Sequence, residues 1–163
     1  MPTDRDSTAA PGRERDDASG LAMLAADHER VRQLAEEYQT LLESSEEKAA
    51  GLVEEICSGL ELHSALEEEV LYPAVARVSE LALLIDQARE DHDRVKEIIE
   101  EIRMLEPADP QVAGLIVQLA EDVEAHASEE EAVLFPEIEQ RMADQLAQVG
   151  RQMALLRQRL QQR

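Results

Sequence analysis

Histidine and glutamate recur in this chain at spacings that could gather them around metal. The 4 histidines are His28, His63, His92 and His126. Asp27-His28-Glu29-Arg30-Val31 returns as Asp91-His92-Asp93-Arg94-Val95, and the run from His63 through Glu67 to Tyr72-Pro73 returns from His126 through Glu130 to Phe135-Pro136. In each His-x-x-x-Glu the carboxylate stands one helical turn beyond the imidazole, on the same face. Neutral imidazole with carboxylate is a borderline-to-hard ligand set. It suits octahedral iron or manganese better than a four-coordinate structural zinc, which more often includes cysteine. Two glutamates, one from each half of the repeat, can bridge a metal pair while each metal takes two histidines, leaving positions open for water or a diatomic ligand.

The elements that must position these residues are helices. From Leu21 onward apolar residues fall at spacings of three and four, and no alternating stretch reads as a strand. Each histidine lies on an apolar stripe: Leu24, His28, Val31; then Leu60, His63, Glu67, Val70; then Ala88, His92, Val95; then Val123, His126, Glu130, Val133. A carboxylate on such a stripe is costly to bury unless something compensates it, and these stripes carry no Lys or Arg. Breaks are expected at Glu43–Glu47, around Pro73–Ser79 and at Glu106–Pro110, where Asp109 before Pro110 makes a good helix start. Short connections make each helix antiparallel to the next. The fold class predicted is all-α: an antiparallel up-down-up-down four-helix bundle with an additional C-terminal helix. The histidines then stand at matching heights from the turns, so His28, His63, Glu67, His92, His126 and Glu130 converge in one layer.

Residues 1–20 read as a disordered tail, residues 21–138 as the bundle and residues 139–163 as an amphipathic helix. That last helix carries Met142, Leu146, Val149, Met153, Leu156 and Leu160 on one stripe and is expected to fold back on its own bundle. A homodimer or a protein partner held through it is the alternative.

Composition narrows the function. With 37 acidic and 16 basic residues the net charge is -21, which repels both a phosphate backbone and an anionic membrane surface, so nucleic-acid binding is not expected. No apolar run is long enough to span a membrane. The single Cys57 cannot form an internal disulfide, and the first residues lack a secretory core, so a cytoplasmic setting is expected.

Plainer readings apply to the remaining residues. Tyr38 is expected to cap the core, Tyr72 and Phe135 to pack at the bundle end, and Cys57 to be a small core residue. Glu68, Glu69, Glu129 and Glu131 read as a solvated face.

One His on the first helix, His-x-x-x-Glu on the second, one His on the third and His-x-x-x-Glu on the fourth resembles the haemerythrin-like (HHE) cation-binding domain. The runs Glu68–Pro73 and Glu131–Pro136 are similar to that family's usual continuation. The resemblance covers roughly residues 21–138. It implies a non-haem di-iron centre, two iron ions held by His28, His63, Glu67, His92, His126 and Glu130, that binds or senses dioxygen, nitric oxide or peroxide. The alternatives it implies are a di-iron enzyme that disproportionates hydrogen peroxide or reduces nitric oxide, and an iron storage or delivery protein. The sequence departs from the oxygen-carrying members at Lys96, where those have a further histidine. That implies a more symmetric centre with two histidines per iron, its coordination open to completion by Glu68, Glu131 or water.

Overall fold

The computed structural model describes residues 19–162; the expected tail lies almost wholly outside the described residues. The described residues are overwhelmingly helical and include no strand. Helix α1 spans Gly20–Ser44, α2 Glu46–Leu66, α3 Tyr72–Val75, α4 Ala82–Arg103, α5 Pro110–Glu129, α6 Phe135–Met142 and α7 Leu146–Gln161. Local chemistry fixes the starts. Ser19 accepts a hydrogen bond from the Ala22 N–H at 3.1 Å, which starts α1 one residue before the expected bundle boundary, and Ser45 caps α2. Asp109 accepts from the Gln111 N–H at 2.9 Å with Pro110 in the first turn of α5, as its sequence predicts.

The break expected around Pro73–Ser79 falls within that range, beyond Pro73 itself. A π-helical turn, Glu67–Leu71, joins α2 to α3, and the chain leaves the helix only after Val75. A second π turn, Glu130–Leu134, joins α5 to α6 ahead of Pro136. Proline inside a helix removes one N–H and crowds the preceding turn; widening that turn keeps the helix running. The Tyr72 and Phe135 N–H groups accordingly donate five residues back, to the Glu67 and Glu130 carbonyls. The widened turns also rotate the apolar stripes. Val70 is only partly buried and Val133 is 38% exposed, while Leu71 and Leu134 take the inward places predicted for them.

Helix α1 packs against α2 and α5, α4 packs against α5, and α2 touches α4. Two apolar clusters result, one containing Leu24, Leu71, Ile85 and Leu134, the other Val31, Ile56, Ile99 and Ile116. Each fully buried aliphatic side chain contributes about 1.5–3 kcal/mol, so these clusters are what holds a polar layer between them. Tyr38 and Cys57 are both buried in the second cluster, as expected.

The C-terminal segment is not one continuous helix, since residues 143–145 turn between α6 and α7. Helix α7 packs on α1, on α2 and on the first π turn, and Val149, Met153 and Leu156 are buried in the chain's own first cluster. It crosses α1 at glycine: a methyl group at Gly20 would lie 2.8 Å from Met153 Sδ and 3.1 Å from Gly150 Cα. Gly150, a poor helix former, is what lets the two backbones approach.

Candidate metal centre

All six predicted residues are buried, none more than 5% exposed, in the layer between the two apolar clusters. Helix α1 brings His28, α2 His63, α4 His92 and α5 His126; Glu67 and Glu130 open the two π turns. His28 Nε2 lies 3.2 Å from His63 Nε2, and His92 Nε2 lies 3.3 Å from His126 Nε2. Glu67 Oε2 is 3.2 Å from His63 Nε2 and 3.0 Å from His92 Nε2, one member of each pair. Glu130 Oε2 does the same with the other two, 3.5 Å from His28 Nε2 and 3.4 Å from His126 Nε2. One ligand atom each of His28, His63, Glu67, His126 and Glu130 falls within a mutual 4.8 Å.

The outward nitrogens face acids. His28 Nδ1 donates to Glu131 Oε1 and His92 Nδ1 to Glu68 Oε1, both at 2.8 Å. His63 Nδ1 and His126 Nδ1 are approached more loosely, by Asp27 at 3.4 Å and Asp91 at 3.5 Å. A carboxylate only accepts, so the proton belongs on Nδ1 and the Nε2 lone pairs point at one another and at the carboxylates. Lone pairs and anions so arranged, in an aliphatic surround, require positive charge among them. Glu67 Oε1 and Glu130 Oε2 also lack any hydrogen-bond donor. The donor set thus fits a cation pair, and in its absence protons serve. Burial disfavours charged imidazole, but the Glu67 carboxylate beside His63 and the Glu130 carboxylate beside His126 outweigh it and lift both to about 10. His92 is raised for the same reason, against the same burial. Burial pushes the Glu67 carboxyl up, yet His63, His126 and His92 together hold it well below the ordinary range.

A further shell supports the acids. Lys96 Nζ donates to Glu68 at 2.7 Å and Arg32 Nη2 reaches Glu131 at 3.4 Å, from equivalent positions four residues beyond His92 and His28. The Glu68 carboxyl is pulled down to about 2, chiefly by the His92 hydrogen bond and then by Lys96. Asp27 is gripped by the Arg157 guanidinium of α7, one contact being 3.0 Å. Burial raises the Asp27 carboxyl, but the bonds from His63 and Arg157 leave it lowered.

Two sequence expectations are corrected. Glu68 and Glu131 are partly buried histidine partners, not members of a solvated face; Glu69 and Glu129 are exposed, as predicted. Tyr72 does more than pack: its hydroxyl donates to Glu130 Oε1 at 2.8 Å, lies 3.1 Å from Glu67 Oε2 and 3.3 Å from His92 Nε2. Burial, reinforced by the two carboxylates, pushes that phenol far up, so it stays protonated. Phe135, its counterpart, stacks on His28 with ring centroids 6.2 Å apart. The sequence did carry a signal for the outer acids Asp27 and Asp91: an Asp precedes His in both copies.

A helical fold among the described residues, built around a buried histidine and glutamate cluster, is the setting of the helical metal-binding proteins. Residues 19–138 match the haemerythrin HHE cation-binding domain, and the chain belongs to that family. It is also similar to a DNA nickase from Nostoc sp., 27% identical over 161 residues that cover 96% of this chain and 44% of the relative. The chain therefore spans less than half the length of that relative. No solved structure matches it. No helix among the described residues is long and apolar enough to cross a membrane.

Proposed function

We propose that α1, α2, α4 and α5 form an antiparallel up-down-up-down bundle, residues 21–138, that holds two iron ions and binds or senses a small ligand of the dioxygen, nitric oxide or peroxide class. The carrying observation is that each buried glutamate touches one histidine of each Nε2-facing pair. That pattern supports one iron at His28 and His63, one at His92 and His126, and both carboxylates between them. An iron pair so held would supply redox chemistry there. The chain's own residues set the histidine tautomers, exclude water with two aliphatic clusters and place the Tyr72 O–H among the carboxylates. The lone Cys57 supports a reducing, cytoplasmic setting, and residues 139–163 form an appended segment.

The Tyr72 hydroxyl favours a second reading, turnover of hydrogen peroxide or nitric oxide, because it puts a protonated phenol beside the place where such a ligand would acquire charge. The nicking of DNA named for the Nostoc relative is not carried over, since a charge of -21 opposes approach to a phosphate backbone.

The test is iron analysis with absorption spectra of protein expressed in iron-supplemented medium, before and after reduction, re-aeration and peroxide addition. About two irons per chain with a reversible charge-transfer band supports binding or sensing. Oxygen evolved catalytically from peroxide, and lost in Glu67→Gln, supports the enzyme reading. A folded chain indifferent to iron overturns both. Nicking of supercoiled plasmid by the iron-loaded chain, absent in Glu67→Gln, would replace them.

A further inference from the structure

The internal repeat makes two equivalent approaches to the centre, and the chain treats them differently. On the first side the approach runs past Gly20, Leu24, Asp27 and Leu66 to His63 and Glu67. Helix α7 lies over it, with Met153 and Gly150 against Gly20 and Arg157 on Asp27. Leu24 and Leu66 are wholly buried there.

On the second side the same positions are Leu84, Ala88, Asp91 and Glu129, leading to His126 and Glu130. Here a narrow cleft remains, lined by Leu84, Gln87, Ala88, Leu134, His126 and Glu130. It is small, about 10 Å³, room for about one water-sized molecule. Alanine stands where the sealed side has Leu24, and the exposed Glu129 where it has the buried Leu66. Leu84 replaces the glycine at which α7 crosses, so a helix cannot settle on this side as α7 does on the other. The larger groove between α1 and α5, about 570 Å³, ends on Val31 and Val123 and includes none of the six residues.

We infer that the cleft between α4 and the α5 π turn is the entrance and binding side for a ligand of two or three atoms, so that the His126–Glu130 side takes the ligand while α7 closes the His63–Glu67 side. Ala88 sets the width of the entrance and Leu84 its mouth; α7 is a plug. This rests on the metal-centre reading above.

The test uses the iron-loaded full chain and azide as probe, with association followed by stopped-flow absorption and with iron content and far-ultraviolet circular dichroism recorded for each variant. Ala88→Leu, which installs the residue of the sealed side, is expected to slow azide association by at least about ten-fold, the effect of a barrier raised by about 1.4 kcal/mol. Ala88→Val gives a smaller slowing and carries the test if the leucine variant fails to fold. Leu84→Ala speeds association, and Leu24→Ala leaves it unchanged. The inference is overturned if folded, iron-loaded Ala88 variants bind azide at the wild-type rate, or if loosening the α7 side is what speeds entry. Wild-type protein that holds iron but takes no azide also overturns the entrance and leaves the metal centre standing, whereas protein that holds no iron overturns both.

Discussion

The Tyr72 hydroxyl donates to Glu130 Oε1 at 2.8 Å, joining residues from opposite halves of the repeat across the centre. Glu67, five residues before Tyr72, is touched by the same hydroxyl at 3.1 Å. Tyr72→Phe removes the donor and keeps the ring. Leaving buried carboxylates short of a hydrogen bond costs about 1–3 kcal/mol, so a lower urea midpoint with unchanged helicity is expected for the metal-free protein. An unchanged midpoint would show that the hydroxyl bond contributes nothing.

Metal affinity is expected to depend on the acids behind the histidines. Glu68→Gln and Glu131→Gln each leave the six inner residues in place but loosen His92 or His28. Outer partners of this kind are worth about 10–100-fold in metal affinity. Competition with a chromophoric chelator measures it, and equal, small effects below two-fold would count against the role assigned to these bonds.

Stability of the metal-free chain is expected to fall on the alkaline side. The His63 and His126 imidazoles titrate near 10 in the fold against 6.5 for the free group, because Glu67 and Glu130 hold their charged forms. A raised folded value stabilises fully below the unfolded value and is lost as pH climbs through the folded one. Urea midpoints should therefore decline between pH 6.5 and about 10. Glu68 acts in the opposite sense: lowered to about 2, it stabilises above 4.5 and its contribution is lost on acidification towards 2. A midpoint flat from pH 6.5 to 10 contradicts the histidine assignment.

Cys57 should be inert in the folded protein. It is 1% exposed, and burial, only partly offset by Arg103, pushes its thiol up to about 11. Alkylation monitored by mass spectrometry should be negligible under native conditions at neutral pH and complete in urea; rapid native labelling would mean that α2 opens readily.

The six inner residues were legible because a strict repeat placed unlike chemistry, imidazole and carboxylate, on apolar stripes of ordinary helical period. Tyr72 was not, and the reason is geometric. On a regular α-helix a residue five positions beyond Glu67 points about 140° away from it. The π turn absorbs that difference and brings the phenol back over the carboxylate. The same rotation moved Val133 outward and Leu134 inward. Glu68 and Glu131 were hidden differently: they sit among acids that do face solvent, and only the approach of a histidine from another helix distinguishes them. Arg157 lies 130 residues from Asp27, a distance no local pattern can bridge.

Glu68 serves the histidine of the second half and Glu131 that of the first, so neither hairpin completes a centre by itself. Two identical hairpins meeting about a two-fold axis could exchange these acids just as well, and a duplicated gene could have begun as such a pair. Identical partners, however, must carry the same residue at both equivalent places. Covalent fusion removes that obligation. A phenol at 72 opposite a phenyl at 135, a glycine at 20 opposite a leucine at 84, and leucine at 24 opposite alanine at 88 are distinctions that two identical hairpins could not carry, and through them a symmetric cage acquires a front and a back.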